Sequence, residues 1–312
     1  VEPLKPPRLK AGDLIGIISP ASRIAKPERI EKGIAYLEQL GYRTAPGEHI
    51  LKTYGYLAGT DEERAADLHA MFANPEVKAI MCIRGGYGTP RLLSLVDYRL
   101  IARHPKIFVG YSDITSLQLA LWKKCGLITF QGPMVGVDMP DQLDAYTEEL
   151  FWRLLTSPRK AGEVVPPDSP PVTVRKGKGS GRLIGGNLAH LAAIMGTVHQ
   201  PSFKDALLFI EDIGEEPYRI DRMLTQLRHA RVFEQVKGVL AGQFTDCEIK
   251  DASKPTLTVD EVFREVGQMC PPPFLSHLPF GHEAHKMTVP IGIRGKLDAE
   301  AGTLEFLEGA VK

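Results

Sequence analysis

Short apolar runs recur through the first part of the chain, and each hands over to a segment with helical spacing. The runs are "DLIGIIS" (13–19), "VKAIMCI" (77–83), "KIFVG" (106–110) and "LITF" (127–130). Between the first two, Ile30, Ile34, Leu37 and Leu40 recur at helical spacing and stop at Gly41. Thr60 with Glu63 three residues later forms a capping box, and Leu68, Met71 and Phe72 line one face of the helix it opens. A further helix is expected from Asp113 to Lys124. Strands separated by helices cannot pair as hairpins. They pair in parallel through crossovers, and a parallel sheet must be covered on both faces. The pattern therefore predicts an α/β fold whose N-terminal domain is a doubly wound parallel sheet.

The rhythm breaks at "SPRKAGEVVPPDSPPVTVRKGKGSG" (157–181), rich in Pro, Gly and Lys, which reads as a linker. Beyond it come the strand candidates "RLIGG", "ALLFIED", "KGVLAGQF", "KMTVPIG", "GKLDA" and "TLEFLEG". Three helices are expected there, at 187–195, 217–230 and 259–269, and the last two strands flank "EAG" (300–302) as a hairpin. The expected organisation is a domain at 1–156, a linker at 157–181, and a smaller β-rich α/β domain at 182–312, with the active site in the cleft between the domains. A chain of 312 residues is long enough for two such domains.

Lys+Arg and Asp+Glu balance at 38 each, which leaves no electrostatic footprint for nucleic acid or an anionic membrane surface. No apolar run approaches the length of a membrane span. Cys82, Cys125, Cys247 and Cys270 are scattered and form no CxxC pair, which fits a reducing compartment better than a disulfide framework. The opening "VEPLKPPRLKAGD" holds no apolar stretch of signal-peptide length, although a start at Val leaves room for a removed segment.

The stretch "FVGYSDITSLQLAL" (108–121) delivers Ser112 from a strand end straight onto a helix. Ligands of doubly wound sheets sit at the carboxyl ends of the strands, where a helix start adds backbone N–H groups and a positive dipole end. Two readings stand: Ser112 is the N-cap of the helix, or it is a nucleophile on a sharp turn. The hydrolase elbow G-x-S-x-G is incomplete, since Ile114 takes the second glycine's place. "RGGYG" (84–88) follows the preceding strand. It is either a tight turn, or its glycines Gly85, Gly86 and Gly88 let backbone N–H groups form half of an oxyanion hole, with the N–H of Asp113 as the other donor. Arg84 beside it is a candidate for a substrate carboxylate. Glu211 leaves the end of an apolar strand, and His282 follows Phe280-Gly281. Glu215 is the reserve acid, while His285 is expected to face solvent. The order Ser…Glu…His is one in which hydrolase triads occur. His282 and His285 stand three apart rather than four, among Pro279, Gly281 and Pro290, so no zinc site is expected.

Taken together, "GDLIGIISPAS", "IRGGYG", "VGYSDIT", "GGNLAHLAAIMGT", "LLFIEDIGEEPYRIDRML" and "LPFGHEAHKMTVPIG" resemble, in order and over nearly the whole chain, the LD-carboxypeptidases. These are serine peptidases that include murein tetrapeptide carboxypeptidases and microcin C self-immunity proteins. The resemblance implies a triad of Ser112, Glu211 and His282, with Gly86 and Asp113 as backbone oxyanion donors. It also implies a cytoplasmic homodimer with no metal or cofactor. The implied substrate is a muropeptide, cut between the L-centre of meso-diaminopimelate and the terminal D-Ala. Two rivals remain. One is hydrolysis of a peptidyl-nucleotide antibiotic, which wants an aromatic surface for the base; Trp122 and Trp152 are the only tryptophans, and both read as core. The other is a non-catalytic protein binding a small ligand.

Overall fold

A computed structural model describes residues 2–166, 168–251 and 253–312; Val1 of the expected first domain and Pro167 of the expected linker lie outside the described residues. The N-terminal part runs β1 (Leu14–Ile18), α1 (Glu28–Gln39), β2 (Arg43–Pro46), α2 (Asp61–Ala73), β3 (Val77–Cys82), α3 (Tyr98–Arg103), β4 (Ile107–Val109), α4 (Ile114–Cys125), β5 (Thr129–Gln131) and α5 (Ala145–Thr156). Strands β2-β1-β3-β4-β5 lie side by side in that order, each pair parallel. Ile15, Ile17, Ile80, Met81 and Phe108 are fully buried, as a sheet covered on both faces requires. The predicted capping box forms at α2: Thr60 accepts from the Glu63 N–H, and Glu63 accepts from the Thr60 N–H.

The rest of the chain supplies β6 (Gly162–Glu163), β7 (Val172–Arg175), β8 (Lys178–Asn187), α6 (Leu188–Ile194), β9 (Ala206–Ile213), α7 (Pro217–His229), α8 (Val232–Gln235), β10 (Gly238–Thr245), α9 (Val259–Met269), β11 (Phe274–Ser276), β12 (Val289–Ile291), β13 (Arg294–Asp298) and β14 (Thr303–Phe306). A second sheet runs β6-β14-β13-β8-β9-β10-β11-β7, with β8, β9, β10 and β11 parallel at its centre. The expected hairpin is β13–β14.

Two placements differ from the sequence reading. Segment 157–181 contributes β6, β7 and the start of β8 to the second sheet. The first two are edge strands of two and four residues, where prolines between them cost no ladder bonds. "KMTVPIG" yields β12, which leaves the second half and pairs antiparallel with β5 as the outer strand of the first sheet. Pro290 is tolerated on that edge. The chain thus crosses back, and residues of both halves share one sheet.

Helix α4 sits where the two halves meet, and every residue from Ile114 to Trp122 is buried. Its polar side chains are satisfied internally. Gln118 donates to the carbonyls of Gly110 and Phe130 at 3.0 and 2.9 Å. Thr115 Oγ1 accepts from Gln131 Nε2 at 2.8 Å and from the Asn187 N–H at 3.1 Å. Asn187 ends β8, so this network ties the second sheet to α4.

Candidate active site

Loops following β1, β3 and β4 converge at the carboxyl edge of the first sheet, next to the point where strand order reverses between β1 and β3. That is where ligands bind in open α/β sheets. Ser112 occupies the turn from β4 to α4 with φ of 64°. A left-handed backbone is disfavoured for any residue with a Cβ by about 1–2 kcal/mol. The N-cap position belongs to Asp113, which has helical dihedrals and makes no side-chain cap bond. The carbonyl of Ser112 accepts from the Thr115 N–H at 2.9 Å. Its hydroxyl makes no hydrogen bond among the described residues, so Ser112 is not a capping serine.

The "RGGYG" loop presses against this turn. A Cβ added at Gly85 would stand 2.9 Å from Ser112 Cβ, 3.1 Å from its Oγ and 3.3 Å from the Asp113 nitrogen. Only glycine permits that approach. The loop is pinned from below by the Asp113 carboxylate, which is fully buried. It accepts from the N–H groups of Gly88 at 3.0 Å and Thr89 at 2.8 Å. Gly86 lies exposed at the tip. Arg84 is half-buried, donates to the Arg23 carbonyl at 3.1 Å, and borders a cavity of about 260 Å³ shared with Ile24, Lys26, Arg29 and Val137.

Glu211 and His282 meet across the second sheet. His282 Nδ1 lies 2.7 Å from Glu211 Oε2, with the Glu211 side chain 1% and the His282 side chain 12% exposed. Gly281, at φ 133°, makes room for the pair: a Cβ there would stand 3.3 Å from Glu211 Oε2 and 3.1 Å from the Gln243 carbonyl. The imidazole packs edge-on against Tyr111, the neighbour of Ser112, with ring centroids 5.1 Å apart. Ser112 and His282 share no hydrogen bond here. The Ser112 turn and the Glu211–His282 pair are joined through Tyr111.

Tyr111 is itself clamped. Lys286 Nζ donates to its hydroxyl at 3.2 Å, lies 4.3 Å from its ring centroid, and pairs with the buried Asp138 carboxylate. Burial, with Asp138 and Glu211 nearby, drives the phenol pKa upward and keeps it neutral. Asp212 faces away from His282 and accepts from Asn187 Nδ2 at 2.9 Å and the Ala189 N–H at 3.0 Å. Its pKa is raised to about 7, first by burial and then by Glu211 next to it.

The other candidates go elsewhere. Glu215 pairs with Arg219 at 3.8 Å, and Glu216 stands at the start of α7 without a side-chain cap bond. His285, expected to face solvent, is half-buried, with its Nε2 turned inward. It binds Asp144 at 3.0 Å and stacks on Tyr146, with centroids 4.9 Å apart, because Asp144 caps the adjacent α5. His282 and His285 therefore diverge toward different carboxylates. Trp122 is buried, and Trp152 is half-buried, stacked on Tyr42 and bonded to Tyr36. Sequence reasoning gave no role to His190, Asp138, Lys286 and Asp212. His190, Lys286 and Asp212 lie inside the quoted motifs "GGNLAHLAAIMGT", "LPFGHEAHKMTVPIG" and "LLFIEDIGEEPYRIDRML", but no spacing or pairing marks them out there, and Asp138 lies outside every motif.

Models of known families match both parts of the chain: the LD-carboxypeptidase N-terminal domain over residues 15–132 and the LD-carboxypeptidase C-terminal domain over residues 180–297. A probable murein peptide carboxypeptidase of Bacillus subtilis is 38% identical, over 99% of this chain and 97% of that one. Among solved structures, the microcin C7 self-immunity protein superposes with a TM-score of 0.91 at 28% identity, over 99% of this chain and 100% of that one. The muramoyltetrapeptide carboxypeptidase of Oxalobacter formigenes gives 0.81 at 33% identity, over 94% and 97%. With both halves matched, and with relatives aligned from end to end, the chain belongs to the LD-carboxypeptidase family and is a serine-type carboxypeptidase.

Proposed function

We propose that the enzyme removes the terminal D-Ala from murein tetrapeptide, cutting the bond from the L-centre of meso-diaminopimelate through an acyl-enzyme on Ser112. The observation that carries this reading is the left-handed backbone of Ser112 on an uncapped strand-to-helix turn. Strain of this kind persists where the surroundings impose it, and it aims the hydroxyl out of the sheet.

In this mechanism His282 Nε2 takes the Ser112 proton as Oγ attacks the carbonyl carbon. Glu211 holds Nδ1–H at 2.7 Å, fixing the tautomer and stabilising the imidazolium. The Ser112–His282 bond closes when substrate fills the cleft, as catalytic bonds commonly tighten in the complex. The N–H groups of Gly86 and Asp113 receive the oxyanion. His282 then protonates the departing D-Ala amine, and the same base activates a water to hydrolyse the ester. Arg84 is assigned to the substrate's terminal carboxylate. The 38% identity to a murein peptide carboxypeptidase supports this substrate. We further place the enzyme in the cytoplasm as a homodimer, on the family resemblance, which fractionation and sedimentation test.

The similarity to the self-immunity protein favours a second substrate, a peptidyl-nucleotide. Mass spectrometry of murein tetrapeptide and of an aminoacyl sulfamoyl nucleoside, each incubated with the enzyme, separates them. Loss of one D-Ala from the tetrapeptide supports the first reading. Cleavage of the nucleoside conjugate alone replaces it with the second.

A further inference from the structure

Helix α6, from the second half of the chain, sets His190 against the start of the nucleophile helix. His190 Nδ1 lies 3.0 Å from Ser116 Oγ, and its Nε2 lies 3.5 Å from Asp113 Oδ1. The histidine side chain is 15% exposed, and Asp113 and Ser116 are fully buried. Asp113 Oδ1 is the oxygen that also accepts from the Gly88 N–H, while Oδ2 takes the Thr89 N–H. One carboxylate thus joins the glycine loop, the helix start and a ring from the other half of the molecule.

The protonation pattern follows from the partners. Ser116 can donate its hydroxyl proton to Nδ1, which leaves the proton of a neutral imidazole on Nε2, the ring nitrogen 3.5 Å from Asp113 Oδ1. A buried carboxylate needs donors around it, and two backbone N–H groups fill only part of its capacity. Burial lowers the pKa of His190, against the opposing pull of Asp113 and Glu211, so the ring supplies a donor without a charge. That matters beside an oxyanion hole. An unbalanced carboxylate at this position would oppose negative charge developing at the Asp113 N–H.

We propose that His190 is a positioning residue for the oxyanion hole, holding the Asp113 carboxylate so that the Gly86 and Asp113 N–H groups stay convergent. The inference rests on the reading of Ser112 as nucleophile. It makes the second half of the chain contribute to the oxyanion side of the reaction as well as to the base. His190 touches neither substrate nor reacting atoms; it acts through Asp113.

The test compares wild type, His190→Phe and His190→Gln. Phe keeps the ring's bulk without its N–H, and Gln restores an amide N–H near the Nε2 position. Each variant is measured for tetrapeptide turnover and for the rate at which a serine-directed phosphonate labels Ser112, after thermal melts confirm folding. Losing a whole oxyanion donor costs about 10²–10³ in kcat. Partial misplacement should therefore lower kcat of His190→Phe by about 30- to 100-fold, with KM within about threefold and labelling slowed in parallel. His190→Gln should recover most of both. Wild-type kcat and labelling in His190→Phe overturn the proposal, as does a folded His190→Gln no better than a folded His190→Phe. If only His190→Gln folds, near-wild-type labelling supports the proposal and a loss of about 30-fold overturns it. Wild type that is labelled yet leaves tetrapeptide intact refutes the substrate reading alone, and labelling still decides the role of His190. Wild type that resists labelling refutes the nucleophile and this inference together.

Discussion

Ser112 shows where residue identity and backbone geometry carry different information. "GYS" at a strand end points to a turn, but the left-handed backbone at φ 64° and the transfer of the N-cap to Asp113 depend on how the glycine loop packs against it. No residue type in the sequence encodes that choice. His282 and Glu211 are legible because each follows a distinct local signal, a Phe-Gly turn and the end of an apolar strand. His190 is not, since one histidine on a helix has no spacing to read. The backbone of Ser112 leads to a stability prediction. Ala is normally the better helix-region residue, by about 0.8–1 kcal/mol over Gly. At this position the order should reverse, with Ser112→Gly more stable than Ser112→Ala by about 1 kcal/mol, because only glycine relieves the left-handed strain. Denaturant titration of the two variants checks this, and a more stable Ala variant would place Ser112 in an unstrained turn.

At the level of elements, the long periodic segments are readable and the short edges are not. Helices α2, α4, α7 and α9 form where the sequence reading expects them, with Gly126 closing α4 at φ 70°. Strands β6 and β7 have two and four residues and mostly exposed side chains, so they carry no apolar run to detect. The loop that bears His282 has no helix or strand signal of its own, yet it is firmly anchored. Lys286, 4% exposed at its side chain, ties it to Asp138 and Tyr111. Removing one partner of a buried ion pair costs about 3–5 kcal/mol, because the other charge is left uncompensated. Lys286→Met should therefore lower stability by that order and reduce turnover through misplacement of His282. Adding Asp138→Asn should restore much of the stability. The substituted side chain loses the charge but keeps an amide oxygen to accept from the Met134 N–H, which Asp138 now holds at 2.8 Å. Thermal melts of the single and double variants decide. Equal destabilisation in both would mean that the ion pair is not what anchors the loop.

Across the whole molecule, the two halves are less separate than their composition suggests. Strand β12 returns to the first sheet, and Thr115, Gln131 and Asn187 close a buried network between the sheets. Long-range pairing of this kind leaves no trace in local periodicity, which is why the sequence groups β12 with the strands of the second half. Asp212 belongs to the same interior and gives the fold a pH dependence. Its pKa rises from 3.8 to about 7 in the folded chain. The folded state therefore binds more protons than the unfolded one between these values. The Asp212 contribution to stability is full below about pH 3.8 and is lost as pH rises through about 7. Melting temperatures from about pH 5 to 8 should fall less steeply with pH in Asp212→Asn than in wild type. Parallel profiles would show that Asp212 is not held protonated. The proposed mechanism has one serine served by a base from the other half. The most direct measurement is D-Ala release from murein tetrapeptide by wild type, Ser112→Ala, His282→Ala and Glu211→Gln, each shown to be folded. Wild type should release D-Ala, and all three variants should fall by at least about a thousandfold. A folded Ser112→Ala enzyme that keeps about a tenth of wild-type turnover would rule out Ser112 as the nucleophile.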